Sequence, residues 1–196
     1  MATQKTTLIA AYAAMLAIAN VAAVKIVPLG NITVTAGILP IAVAFLLSDI
    51  ITERYGSAVA YRTVRAGIFA LVLTIAITQL VVILPGDSIV DEVFAASLPI
   101  LLASLTTIAL SQHIDIYLFE SIKSRLPYRV TRNVGSTTAS QLIDTAVFTL
   151  LAFSVFPLVL PGQRLTLPVI ASIVAAEWVV KTALSILDTP VFYAAT

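Results

Sequence analysis

Five ionisable residues stand where an apolar sequence should carry none. Asp49, Asp115, Asp144, Glu177 and Lys181 all lie inside long apolar runs, and Lys25 lies near the end of another, five residues after Asn20. An ionised side chain at the centre of a membrane-spanning helix costs roughly 2.5–3.5 kcal/mol on insertion scales. Several together cost on the order of 10 kcal/mol unless they pair, neutralise or meet water. A purely structural bundle could use Leu at these positions. The default reading is therefore an internal polar site.

Two near-identical phrases carry part of this set: SQHID at 111–115 and SQLID at 140–144. In each, Gln and Asp are three apart and share one helix face, Gln112 with Asp115 and Gln141 with Asp144. The first pair lies ~12–16 Å along a helix from Lys123, and the second ~13–18 Å from Arg132. Two antiparallel helices joined through that basic segment bring both pairs to similar depth. Hydrogen bonding between helices returns only about 0.6 kcal/mol per contact, a poor reason to bury two carboxylates. The pairs read as two halves of one polar pocket.

The remaining polar residues admit two readings each. Glu177 and Lys181 are spaced i,i+4 in the favourable order, either as a self-neutralising pair or as part of the site. Trp178 could stack on a planar ligand or anchor at the lipid interface. Lys25 could snorkel to the surface. In LSDIITERYG at 47–56, Glu53 with Arg54 reads as a solvated helix end, whereas Asp49 is deeper and harder to dismiss.

The elements that must hold these residues are membrane helices. The chain has 196 residues, 60% apolar and only 11% charged, and its apolar runs recur at spanning length. We expect an all-α polytopic bundle of six transmembrane helices, about 7–27, 33–53, 64–84, 95–119, 134–158 and 168–189, forming one domain over 1–196. The breaks carry turn chemistry: PLGN at 28–31, YGS at 55–57, LPGDS at 84–88, RLPYR at 125–129 and LPGQR at 160–164. Pro40 is expected to kink the second helix at mid-span. The first run is too long for a signal-peptide core and reads as an uncleaved span. Arg54, Arg62 and Arg65 mark one connection as basic, and Lys123, Arg125, Arg129 and Arg132 mark another. The positive-inside rule then puts both termini in the cytoplasm.

Several function classes drop out. With no cysteine there is no disulfide or thiolate site, and a single histidine makes a protein-held zinc unlikely in pattern. No phosphate-binding glycine loop and no Ser/His/Asp set is present, so neither ATP hydrolysis nor a catalytic residue is expected. The net charge of +1 gives no footprint for nucleic acid.

NVAAVK at 20–25, SDIITERYG at 48–56, SQHIDIYLFESIK at 111–123, RNVGSTTASQLIDTAVF at 132–148 and the acidic sixth helix around Glu177 together resemble the queuosine-precursor transporters. These are six-helix membrane proteins also grouped with vitamin-uptake transporters. The resemblance runs over nearly the whole chain in the same order. It implies uptake across the cell membrane of a 7-deazaguanine such as preQ0 or preQ1, feeding tRNA modification. A guanine-like edge offers an N–H and an NH2 side by side, which a carboxylate can accept as parallel bonds. Asp144 or Glu177 could serve, with Gln141 or Gln112 on the carbonyl edge, and Trp178, Phe148 or Phe119 as a stacking face. A second carboxylate would help with the cationic aminomethyl group of preQ1. The candidate substrate-binding set is Gln112, Asp115, Gln141, Asp144, Glu177, Trp178, Asn20, Lys25 and Asp49, with no metal and no cofactor. Expected partners are the 7-deazapurine, the bilayer, and either a second copy or an energy-coupling protein. The alternative function is a substrate-capture subunit of an ATP-driven energy-coupling-factor vitamin importer, whose six-helix fold the bundle would share.

Overall fold

The computed structural model describes residues 2–29, 32–86, 89–125, 129–160, 164–187 and 189–195. Within these ranges the side chains of Gln112, Asp115, Phe119, residues 122–125, 129–137 and 139, and several at element ends lie outside the description. So do parts of four expected turns: residues 30–31, 87–88, 126–128 and 161–163.

Helix α1 (Ala2–Ala23) leads into a two-stranded hairpin, β1 (Ile26–Leu29) and β2 (Ile32–Thr35). Then follow α2 (Ile38–Tyr55), α3 (Ser57–Ile83), α4 (Ile89–Arg125), α5 (Arg129–Leu150), α6 (Leu167–Leu187) and a short α7 (Thr189–Ala195). Between α5 and α6 the chain makes a π-helical turn over Leu151–Val155 and a 3-10 turn over Phe156–Leu158. Pro157, which lacks an N–H, ends the regular helix there. The returning Leu165 N–H donates to the Phe153 carbonyl at 2.9 Å, satisfying a group the irregular turn leaves open.

Among the described residues, five helices are long and apolar enough to cross a membrane: α1, α3, α4, α5 with its extension, and α6. The second expected span is different. Residues 33–35 belong to β2, so α2 starts at Ile38 and has 18 residues, three of them charged: Asp49, Glu53 and Arg54. Pro40 consequently falls in the first turn of α2, where a missing N–H costs nothing, and not at mid-span. The hairpin qualifies the all-α expectation. Its register pairs Ile26 with Thr35 and Leu29 with Ile32, and Ala36 N–H closes it on the Lys25 carbonyl at 2.8 Å. The segment favours strand because Ile26, Val27, Ile32, Val34 and Thr35 are β-branched.

The core forms where helices approach closely. Tyr12, Leu16, Ala19, Asn20 and Ala23 are buried along one face of α1. Tyr12 and Leu16 sit over Gly67 of α3, where an added Cβ would lie 2.6 Å from both side chains. With Ala44, Ile51, Ala60, Val64, Leu71, Leu101 and Ile108 they form one apolar cluster joining α1 to α4. A second cluster, Ala23, Ile100, Ala103, Ala152 and Phe153, joins the end of α1 to α4 and the π turn. Gly56 alone connects α2 to α3 at φ +82°, a conformation that favours glycine. Phe69, Leu73, Ile77 and Leu80 line an exposed face of α3, suited to lipid tails.

Candidate functional site

Five helices and the hairpin line one cavity that carries several polar side chains. It is lined by Ala19, Asn20 and Ala23 of α1, Thr35 of β2, Gly37 just before α2, Ile38 and Ile41 of α2, Ser104, Thr107 and Ile108 of α4, Asp144 and Phe148 of α5, and Glu177 and Lys181 of α6. Its non-atom space, counting the open mouth, is about 410 Å³. The spacing of the lining residues explains their convergence. Thr107 and Ile108 lie three and four residues after Ser104, and Ala23 lies four and three after Ala19 and Asn20; Asp144 and Phe148, and Glu177 and Lys181, are each four apart. Gly37 lets α2 come against α1: a Cβ there would stand 2.5 Å from the Ala19 carbonyl oxygen.

The charged groups form one connected set. Lys181 Nζ donates to Asp144 Oδ2 at 3.2 Å and to Thr145 Oγ1 at 2.9 Å. It lies 3.9 Å from Glu177 Oε2, too far for a hydrogen bond. Ser111 Oγ donates to Asp144 Oδ1 at 2.9 Å. Glu177 Oε1 accepts two bonds of 2.9 Å, from the N–H and from the Oγ1 of Thr35. Asp144, Glu177 and Lys181 are at most 5% exposed, so bulk water solvates none of them well. Burial of this kind is tolerated only where charges pair and lone pairs are filled.

Thr35 can reach Glu177 because of the hairpin alternation. Ala36 N–H points across to β1, so the preceding N–H points away from it. That donor and the hydroxyl of the same residue meet a carboxylate 142 residues later. The hairpin is thereby fastened to the middle of α6.

The expected site residues separate. Asn20, Asp144 and Glu177 line the cavity. Asn20 donates its amide to the Leu16 carbonyl at 2.8 Å, which leaves its side-chain oxygen for a ligand. Gln141 is buried one turn from Asp144 with its Oε1 unpartnered, but it is not on the cavity wall. Trp178 donates to the Thr138 carbonyl at 3.0 Å and ties α6 to α5, outside the cavity lining. Lys25 is exposed at the base of the hairpin. Asp49 is buried in α2, ~12 Å along the helix from Ile41, the last cavity residue of that helix. The side chains of Gln112 and Asp115 lie outside the described residues.

Four members of the site escape a reading of sequence spacing: Thr35, Ser111, Thr145, and Lys181 in its bond to Asp144. Ser111 opens the first repeated phrase and Thr145 directly follows the second, so the phrases did carry a signal for both. Thr35 carried none.

Residues 35–195 match the model of a family described as "Putative vitamin uptake transporter". Over 188 residues the chain is 31% identical to a protein of Bacillus subtilis (strain 168) described as "Probable queuosine precursor transporter", a match covering 90% of this chain and 78% of that protein. No solved structure matches.

Proposed function

The chain belongs to the vitamin uptake transporter family, and on that premise we propose that it imports a 7-deazaguanine precursor of queuosine, such as preQ0 or preQ1, through the cavity at Asp144. It is a multi-pass membrane protein and a transporter, not an enzyme. The proposal adds the cargo, the site, the cell membrane as location, a single transmembrane domain and cytoplasmic termini.

One observation carries the cargo assignment: of the two carboxylates on the cavity wall, Asp144 is the one whose two oxygens each keep a lone pair. Ser111 fills one position on Oδ1 and Lys181 one on Oδ2. Glu177 Oε1 is filled twice by Thr35. A deazaguanine presents its ring N–H and amino group side by side, and these suit the two free positions on Asp144. Asn20 and the third Lys181 proton remain for other polar groups of the ring. Phe148 with Ile38, Ile41 and Ile108 supplies apolar walls for its faces. That this cargo feeds tRNA modification belongs to the same proposal.

The basic connections support an orientation in which the hairpin is external. The hairpin then stands on the outer side of the cavity. The test is accumulation of labelled preQ0 or preQ1 by cells lacking their own synthesis and expressing this chain alone. Accumulation is expected. Uptake only when a coupling protein and an ATPase are co-expressed would replace this reading with the substrate-capture one. No uptake in either case would overturn both.

A further inference from the structure

Glu177 holds an open carboxylate oxygen on the cavity wall. Its Oε1 is saturated, whereas Oε2 accepts no hydrogen bond among the described residues and has Lys181 as its nearest cation at 3.9 Å. Two of the three Lys181 protons are committed elsewhere, to Asp144 and Thr145. The ionisable groups described on the cavity wall are two carboxylates and one ammonium. In their ionised forms they sum to one uncompensated negative charge at a residue only 2% exposed. Away from water, such a charge is stabilised chiefly by another charge or by strong donors.

We propose that Glu177 is a specificity-determining residue that selects cargo bearing a positively charged amine. The inference rests on the deazaguanine reading above and deepens it. The ring edge engages Asp144, and the ammonium of the same molecule engages Glu177 Oε2. This division of labour follows from the lone-pair inventory: Asp144 offers two parallel positions to a planar edge, and Glu177 offers one open oxygen to a point charge. A neutral group of the same shape fills the space and leaves the charge unbalanced.

Purified protein in detergent separates these cases with two probes of nearly equal shape: 7-aminomethyl-7-deazaguanine and 7-cyano-7-deazaguanine. The cationic probe is expected to bind about tenfold tighter or more, the return of one charge-assisted hydrogen bond in a dry site. Glu177→Gln is expected to bring the two affinities within about twofold, since the amide keeps an acceptor and loses the charge. Thr35→Val loosens the hairpin and keeps the Glu177 charge, so it is expected to weaken both probes and preserve their ratio. This control distinguishes charge selection from a loss of hairpin packing. If Glu177→Gln does not yield folded protein, the ratio in the unaltered protein still decides. Equal binding of both probes, or tighter binding of the nitrile, overturns the inference and leaves the deazaguanine reading standing. An unchanged ratio in Glu177→Gln overturns it as well. Binding of neither probe overturns both.

Discussion

Ser111 Oγ donates a 2.9 Å hydrogen bond to Asp144 Oδ1, so the first residue of SQHID touches the last residue of SQLID. The two polar phrases therefore meet across α4 and α5. The serine fixes which face of the carboxylate stays open to the cavity. Ser111→Ala removes one charge-assisted bond and leaves the Lys181 contact. Cargo affinity is expected to fall by about tenfold, with little change in fold, as a hydrogen bond to a charged group is worth about 1.5–3 kcal/mol. A Kd measurement on the variant checks this, and Ser111→Thr is expected to restore part of the loss.

The Lys181–Asp144 pair should be more costly to break than to remove. Lys181→Met leaves Asp144 and Glu177 as two buried carboxylates without a cation. A destabilisation of about 3–5 kcal/mol is expected from breaking a buried pair on one side. Lys181→Met combined with Asp144→Asn is expected to recover at least part of that stability. Thermal unfolding in detergent of the single and double variants provides the cycle; a double variant as unstable as the sum of the singles would argue against direct coupling.

Much of this architecture is legible in the chain, and its limits have physical causes. Long apolar runs mark α1, α3, α4, α5 and α6 because a bilayer core demands that length. The buried carboxylates stand out because their cost in lipid is high. The hairpin is not legible in the same way. ITVT at 32–35 continues directly into the apolar residues of α2, and short apolar runs do not distinguish strand from helix. What ties that strand to the bundle is Glu177, 142 residues away, which no local pattern can show. Lys181 misleads for a related reason. Its i,i+4 spacing to Glu177 suggests a self-contained pair, whereas its closer carboxylate is Asp144, on another helix.

Gly37 is a position where one methyl group should matter. Its backbone is right-handed helical, so the glycine is needed for space and not for φ. Gly37→Ala places a Cβ 2.5 Å from the Ala19 carbonyl oxygen, and α1 and α2 must separate to admit it. Overpacking of this kind costs about 1–3 kcal/mol. We expect the variant to reach the membrane with reduced thermal stability and strongly reduced uptake. Gly56→Ala, far from the cavity and with open space around the added Cβ, is expected to lower stability through its φ of +82° while preserving cargo affinity.

Thr35 should control how firmly the hairpin is seated. Thr35→Val removes the hydroxyl donor to Glu177 and keeps the backbone one. The chain has no cysteine, so a single cysteine introduced at Ile32 is a unique probe of the hairpin. Its labelling by a membrane-impermeant thiol reagent is expected to accelerate several-fold in Thr35→Val and to stay near the parent rate in Thr35→Ser, given a bond to a charged group worth about 1.5–3 kcal/mol. Equal rates in all three would mean that the Glu177 contact does not hold the hairpin.

The most direct test is equilibrium binding of a labelled 7-deazaguanine to the purified protein and to Asp144→Asn. Binding to the unaltered protein is expected, with affinity at least about tenfold weaker in the variant, since a buried charged hydrogen-bonding partner is worth several kcal/mol to its ligand. Undiminished binding to a correctly folded Asp144→Asn protein would contradict the account.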